Sequence, residues 1–432
     1  MKSSVKNTFV VGFAVFAMLF GAGNLIFPPF LGMHSGTNWI IGFAGFAFMD
    51  VILSMIVLNL VQHKEGGTDG IVGILGKRLS VVLMLAMYIC IGPLVAIPRT
   101  AATTYELTCE PLLPGINSVV FSIVFFAIVL VLTIRPSKII DIIGSVLAPI
   151  LLITLGVLII KGVVNPLGTI GVGDSVYESV HSGVTTGYQT MDIIAGMAFS
   201  IVIIAQIRDY KLEDRKAEGK MMKGACLIAG VALTLVYGGL AYLGATVSKI
   251  YPADFGRADI LLKLSEDILG PAGKVVLGVI VAAACLTTAI GLVSSCAAYF
   301  EKVSGGKVSY KLSCIVICIF SAFICNIGLD NIIKLASPIL DLIYPILLVL
   351  IILAFVKESV LGRTGRIGAV VGTAAFVVIH LVESISDLKE ITAMLPLASL
   401  GFAWVLPAVI GLCVGVVVGK FVNEKNTVTY NI

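Results

Sequence analysis

Four stretches of this chain put polar, small or helix-breaking residues into otherwise apolar runs. The first is Phe20-Gly21-Ala22-Gly23-Asn24-Leu25-Ile26-Phe27-Pro28-Pro29. Glycine weakens a helix and proline removes a backbone donor, so this run predicts a helix that unwinds part-way along. At membrane depth, non-helical backbone persists only where it lines a cavity or is buried in protein. The amides that open the second half would form a positive pole suited to a carboxylate, and the carbonyls that end the first half a negative pole suited to a cation. A glycine-rich face packed on a neighbouring helix would explain the glycines, but not Asn24 or the prolines.

The second stretch, Gly187-Tyr188-Gln189-Thr190-Met191-Asp192-Ile193-Ile194-Ala195-Gly196, puts a carboxylate in the middle of an apolar run. A charge there costs at least about 2.5 kcal/mol on insertion scales, so Asp192 must face a cavity, a cation or a hydrogen-bonding partner. Ala284-Cys285-Leu286-Thr287-Thr288-Ala289 offers adjacent hydroxyls that can join main-chain carbonyls around a hard cation, although threonine in a helix equally satisfies itself on the preceding turn. The fourth, Ile91-Gly92-Pro93 followed by Ile97-Pro98-Arg99-Thr100, predicts a kinked helix carrying Arg99. That arginine needs an acidic or carbonyl partner. Asp341, Asp192 and Glu106 are candidates, with Arg99 and Asp341 the candidate outer gate and a static ion pair the competing reading. Asp50 and His380 also fall in apolar runs and are read as buried, hydrogen-bonded residues rather than a proton relay.

The elements that must position these residues are membrane-crossing helices. Soluble domains carry about 25% charged residues. Here 12% are charged and 58% hydrophobic, and the mean hydropathy is +1.08, so water is not the main solvent and no soluble domain is left over. Runs approaching the roughly 20 apolar residues of a transmembrane helix recur from Thr8 almost to the end. Twelve spans are predicted, the first five being Thr8 to Leu31, Trp39 to Val61, Leu79 to Thr104, Ile116 to Ile134 and Ile139 to Val163. The others are Val184 to Gln206, Gly224 to Val247, Val275 to Phe300, Leu312 to Ile327, Ile332 to Phe355, Ile367 to Ser384 and Leu397 to Phe421. The first follows Lys2 and Lys6 but lacks a small-residue cleavage site, so it reads as a retained span.

Cytoplasmic loops carry an excess of Lys and Arg. With the N-terminus inside, 21 of the 29 basic residues fall on the inner side and six outside, which predicts two cytoplasmic termini. The outer loop from Lys249 to Lys274 contains an amphipathic piece, Ile260 to Ile268, that either caps an outer vestibule or forms an ordinary surface helix. A formal charge of +4 spread over short loops does not point to nucleic acid. Nine cysteines, all but Cys109 in apolar runs, predict neither a disulfide nor a metal cluster. No Gly-rich phosphate loop with a lysine and no His-Glu metal helix is present, so an ion gradient rather than ATP is the expected energy source, and an enzyme is not.

FGAGNLIFPP, IGPLVAIPRTAATTYE, GYQTMD and ACLTTAIGLVSS together resemble the branched-chain amino acid:cation symporters of the BrnQ type, and the resemblance runs across essentially the whole chain. It implies a multi-pass bacterial cytoplasmic-membrane carrier that imports leucine, isoleucine and valine with Na+ as the coupling ion, without an organic cofactor or an obligatory protein partner. It implies the all-α, leucine-transporter-like fold: five-helix repeats over 8–163 and, inverted, over 184–355, then two C-terminal helices over 367–421, in a single transporter domain of residues 1–432. Gly21, Ala22, Gly23, Asn24 and Leu25 would then meet the substrate carboxylate, with Tyr188, Asp192 and Ala195 completing the binding site. Ala17, Phe20, Ala284, Thr287 and Thr288 would hold sodium. Asp192 departs from a position that is commonly neutral in this fold, so it would complete a second sodium site with Asn24, receive the substrate ammonium, or accept a proton. A proton-coupled carrier of another neutral amino acid and a channel or sensor are the alternatives.

Overall fold

The computed structural model describes residues 2–64, 66–134, 143–385 and 391–429, and its regular elements among them are all helices. In chain order they are α1 (Lys2–Leu19), α2 (Ala22–Ser35), α3 (Trp39–His63), α4 (Lys77–Leu112) and α5 (Ser118–Thr133). Next come α6 (Ile143–Val164), α7 (Val176–Thr190), α8 (Asp192–Asp209), α9 (Arg215–Thr246) and α10 (Arg257–Leu269). The rest are α11 (Gly273–Val303), α12 (Tyr310–Ile327), α13 (Leu329–Phe355), α14 (Glu358–Ile385) and α15 (Val405–Thr429).

Among the described residues, nine helical runs are long and apolar enough to cross a membrane, and ten crossings result if the bent pair α1–α2 counts as one. The two remaining predicted spans correspond to shorter apolar helices, Ser118–Thr133 and Val405–Phe421, so length alone does not make twelve crossings. The start of the fifth predicted span and Lys389 lie outside the described residues.

One compact unit comprises Met1–His63 and Tyr88–Ala336. Its helices approach closely where glycines remove the side chain. A Cβ on Gly32 of α2 would lie 1.9 Å from the Ala241 carbonyl oxygen of α9, and one on Gly244 would lie 2.0 Å from that of Pro29. Backbone-to-backbone contact of this kind is how helices associate in lipid, where burying apolar surface gains little. α4 is kinked as expected, with Gly92 in non-helical geometry just before Pro93. Cys109, expected in a loop, instead ends a π-helical turn (Tyr105–Cys109) and is buried. Span three continues past the expected end at Thr104 because Glu106 is absorbed by the fold: its Oε1 accepts the Leu329 amide proton at 2.9 Å and so caps α13.

The amphipathic segment forms α10, with Ile260, Leu261, Leu264 and Ile268 buried. It packs on α2, where the Arg257 guanidinium lies 4.8 Å from the Phe30 ring centroid and 5.5 Å from that of Phe27. It is a packed cover rather than a solvated surface helix.

The second unit comprises Lys64–Met87 and Ser337–Ile432. In it α14 and α15 pack through glycines, a Cβ on Gly368 or Gly372 falling 2.1 Å from the carbonyl of Gly411 or Pro407. Asp341 and His380 lie within electrostatic reach of each other in this unit.

Candidate functional site

The first span is interrupted as expected, and span six is interrupted as well. α1 stops at Leu19, α2 starts at Ala22, and the two axes differ by 69°. The hinge is at Gly21, in extended geometry, and not at the prolines. Pro28 and Pro29 lie within α2 and act differently: without N–H groups they cannot donate to the carbonyls of Asn24 and Leu25 one turn earlier. In span six the interruption is a single residue, Met191, held at φ 70° between α7 and α8. A left-handed residue costs a non-glycine side chain roughly 1–2 kcal/mol and persists where surrounding packing over-determines it. The Met191 side chain is buried.

The two breaks meet at Asn24. Its Nδ2 lies 3.0 Å from Asp192 Oδ2, 3.2 Å from Asp50 Oδ1 and 2.7 Å from the Tyr237 hydroxyl oxygen, while its Oδ1 faces the Gly21 amide at 3.4 Å. All four side chains are buried, Asp50 at 1% and Asp192 at 3% exposure. One amide nitrogen of α2, with two protons, thus serves two carboxylates and a phenol from α3, α8 and α9. Thr190 also borders Asp50, but its hydroxyl proton goes to the Gly187 carbonyl at 2.7 Å, and among the described residues no hydrogen-bond donor lies within reach of Asp50 Oδ2. Two buried carboxylates side by side are an unfavourable charge arrangement that a cation or a proton relieves.

Beside this cluster, α11 meets the end of α1. Thr287 Oγ1 is 2.7 Å from the Ala17 carbonyl oxygen and 2.9 Å from that of Ala284, and Thr288 Oγ1 donates to the Met18 carbonyl at 2.9 Å. Three of the five oxygens expected to hold sodium therefore converge. Thr288 also lies against the hinge, since a Cβ on Gly21 would stand 3.0 Å from its Oγ1. Phe20 is stacked between the rings of Phe16 and Tyr237, with centroids 5.5 and 5.6 Å away.

Arg99 reaches the same place from α4. Its Nη1 donates to the Gln189 carbonyl at 2.8 Å and its Nη2 to the Thr190 carbonyl at 3.1 Å. Those carbonyls end α7, where no further helical turn follows to take them. The guanidinium also presses on the first break, with a Cβ on Gly23 falling 2.9 Å from Nη2. Between the two breaks lies a cavity of about 20 Å³, bounded by Gly21, Ala22, Asn24, Arg99, Asp192 and Thr288 among others. This is about the space of one water molecule, so an amino-acid side chain enters only if the surrounding helices move.

A family model described as branched-chain amino acid transport protein matches residues 4–422. The chain belongs to that family. It is 36% identical over 438 residues to the branched-chain amino acid permease BraB of Bacillus subtilis (strain 168), covering 98% of this chain and 97% of that one. It is also 36% identical, over 445 residues, to a putative branched-chain amino acid carrier protein of Staphylococcus aureus (strain USA300), covering 97% and 98%. Among solved structures it is similar to a Na+-coupled sialic acid symporter (TM-score 0.65, 17% identity, 94% of this chain and 89% of that one). It is likewise similar to Mhp1, a nucleobase-cation-symport-1 family transporter (0.61, 14%, 97% and 93%), and to MhsT in complex with L-phenylalanine (0.56, 14%, 94% and 98%). The protein is therefore an all-helical, multi-pass membrane transporter of leucine-transporter-like fold, and not an enzyme.

In this branched-chain transporter the cavity wall includes Gly21, Ala22, Asn24, Asp192 and Ala195 of the eight residues expected around the substrate. Gly23 lies behind them against Arg99 and Phe27, Leu25 is buried with its amide 3.3 Å from the Gly21 carbonyl oxygen, and Tyr188 is buried in the last turn of α7. Arg99 takes carbonyl partners, while Asp341 belongs to the second unit. Two members of the cluster were not assigned to the site from sequence. Asp50 was noticed but read as satisfied. Tyr237 carries no local signal, because a tyrosine in an apolar helix is ordinary and only its approach to Asn24 distinguishes it.

Proposed function

We propose that this transporter imports leucine, isoleucine and valine across the bacterial cytoplasmic membrane by sodium-coupled alternating access, with both termini in the cytoplasm. The observation that carries the reading is the meeting of the two helix breaks at Asn24 and Asp192, with Thr287 bridging the Ala17 and Ala284 carbonyls alongside. The first turn of α2, from Gly21 to Leu25, takes the substrate carboxylate. Asp192, with Tyr188 and Ala195, faces the ammonium end. Ala17, Phe20, Ala284, Thr287 and Thr288 hold Na+, which ties α1 to α11. Sodium and substrate together favour the closed arrangement because each completes a charge or ligand set that is incomplete alone. Residues 8–163 and 184–355 act as inverted five-helix repeats with 367–421 appended, and Arg99 serves as the outer gate.

A second cation at Asp50, Asp192 and Asn24 is favoured by the shared amide nitrogen; a proton there is the competing occupant. Radiolabelled leucine uptake into proteoliposomes under imposed sodium or proton gradients separates the readings. Uptake driven by sodium alone is expected, and full uptake without sodium would reject the coupling assignment.

A further inference from the structure

On an exposed apolar face of the first unit, α3 and α9 enclose a groove of about 650 Å³ that shares no lining residue with the cavity between the helix breaks. Ile52 and Met55 line it from α3, and Leu227, Gly230, Val231 and Leu235 from α9. Leu227 and Leu235 are each 69% exposed. Most of its polar donors are turned back on the helices: Thr234 Oγ1 donates to the Gly230 carbonyl at 2.8 Å, and Asn59 Nδ2 to the Met55 carbonyl at 2.9 Å, which leaves Asn59 Oδ1 as a buried acceptor at the lysine end. Gly230 keeps the floor deep, since a Cβ there would stand 3.3 Å from Met55 Cγ. The interior therefore suits hydrocarbon.

One end of the groove is basic. Lys223 lines it, and Lys216 and Lys220 continue the same stripe toward the start of α9; all three are exposed. The spacing 216, 220, 223, 227, 230/231, 234 follows the three- and four-residue steps of one helix face. Glu218, two residues from Lys216 and from Lys220, falls on another side of the helix. From Lys223 to Leu235 the rise is roughly 18 Å, close to half of a hydrocarbon core of about 30 Å. Charge at the rim and an apolar channel one leaflet deep match a phospholipid whose phosphate meets the lysines and whose acyl chain lies in the groove.

We propose that the groove between α3 and α9 is a binding site for an anionic phospholipid. A second copy of this chain is disfavoured, because a two-fold axis along the membrane normal would bring the same lysines together at one depth. The site has a route to transport: Val51 and Ile52 in its wall directly follow Asp50, and Tyr237 follows Leu235 by two residues. A bound lipid would brace the two helices that deliver Asp50 and Tyr237 to Asn24.

The test is native mass spectrometry of the detergent-purified full chain with equal amounts of phosphatidylglycerol and phosphatidylcholine. The wild type is expected to retain one phosphatidylglycerol in at least fivefold preference. Lys220→Gln with Lys223→Gln should abolish the preference. Gly230→Leu, or Val231→Phe if the former does not yield folded protein, should cut retention of the anionic lipid about tenfold. Retention within twofold of wild type in both the lysine variant and a folded groove variant would overturn the proposal. So would a groove variant that instead converts a dimer to a monomer. Leucine uptake in phosphatidylcholine vesicles supplemented with phosphatidylglycerol should rise and saturate in the wild type and stay flat in the lysine variant. Lipid retention is read without transport, so it stands or falls separately from the coupling assignment.

Discussion

Replacing Thr287 by alanine tests the sodium assignment most directly. Its hydroxyl lies 2.7 Å from the Ala17 carbonyl oxygen of α1 and 2.9 Å from that of Ala284 in α11, and the side chain is fully buried. Without sodium it contributes one buried hydrogen bond, about 0.5–1.5 kcal/mol net, which the folded protein should survive. With sodium its oxygen is a ligand to a full charge, and losing such an interaction costs about 1.5–3 kcal/mol. The difference, about 1–1.5 kcal/mol, sets the shift: at 1.4 kcal/mol per decade the sodium concentration for half-maximal uptake should rise roughly 5- to 10-fold. Thr287→Ser, which keeps the oxygen and loses only a methyl group, should stay near wild type. The assay is initial-rate uptake of labelled leucine in proteoliposomes at a series of sodium concentrations, with size-exclusion profiles to establish folding. An unchanged sodium curve in folded Thr287→Ala protein that still takes up leucine refutes the reasoning, because no other part of the proposal depends on this oxygen.

Gly32→Ala should lower the thermal midpoint in detergent sharply, since its Cβ would fall 1.9 Å from the Ala241 carbonyl oxygen and overpacking typically costs about 1–3 kcal/mol. Gly156→Ala, with open space at that position, should leave it unchanged; equal melting of the two would contradict the α2–α9 packing. Asp192→Asn should raise the leucine KM about tenfold or more, as expected for losing a charged hydrogen bond, and by more than Asp50→Asn does, because Asp192 borders the cavity and Asp50 is not among its walls. The reverse order would move the substrate away from α8. Arg99→Ala should make a cysteine introduced at Ala195 react about tenfold faster with a water-soluble thiol reagent, because the guanidinium closes the two breaks from the α4 side; equal rates would show that Arg99 closes nothing.

Several features of the site were readable in one dimension because each violates what lipid demands. An unbroken apolar helix needs no Gly21, Asn24 or Asp192, so their presence in long apolar runs marks the first interruption and a polar site in span six. Amphipathic spacing likewise disclosed α10. The hinge position was not readable: glycine and proline both disfavour helix, yet Gly21 took the turn, and Pro28 and Pro29 stayed helical while withholding donors from the carbonyls of Asn24 and Leu25. The pairing of Thr287 with Ala17 depended on the family resemblance, since a threonine in a helix is as easily satisfied within its own turn.

By itself, then, the sequence determined the solvent, the helical class, the family and the residues that could not lie against lipid, because these follow from composition and from local costs that every neighbour arrangement shares. Only the tertiary structure decided that Asp50 and Asp192 share one amide nitrogen, that Tyr237 joins them, and that Arg99 takes the carbonyls of Gln189 and Thr190. Those contacts bring together residues 24, 50, 192 and 237, whose separations along the chain carry no periodicity. They exist because close backbone approaches such as that of Gly32 to Ala241 set how each helix is rotated, and rotation is what local sequence pattern leaves free.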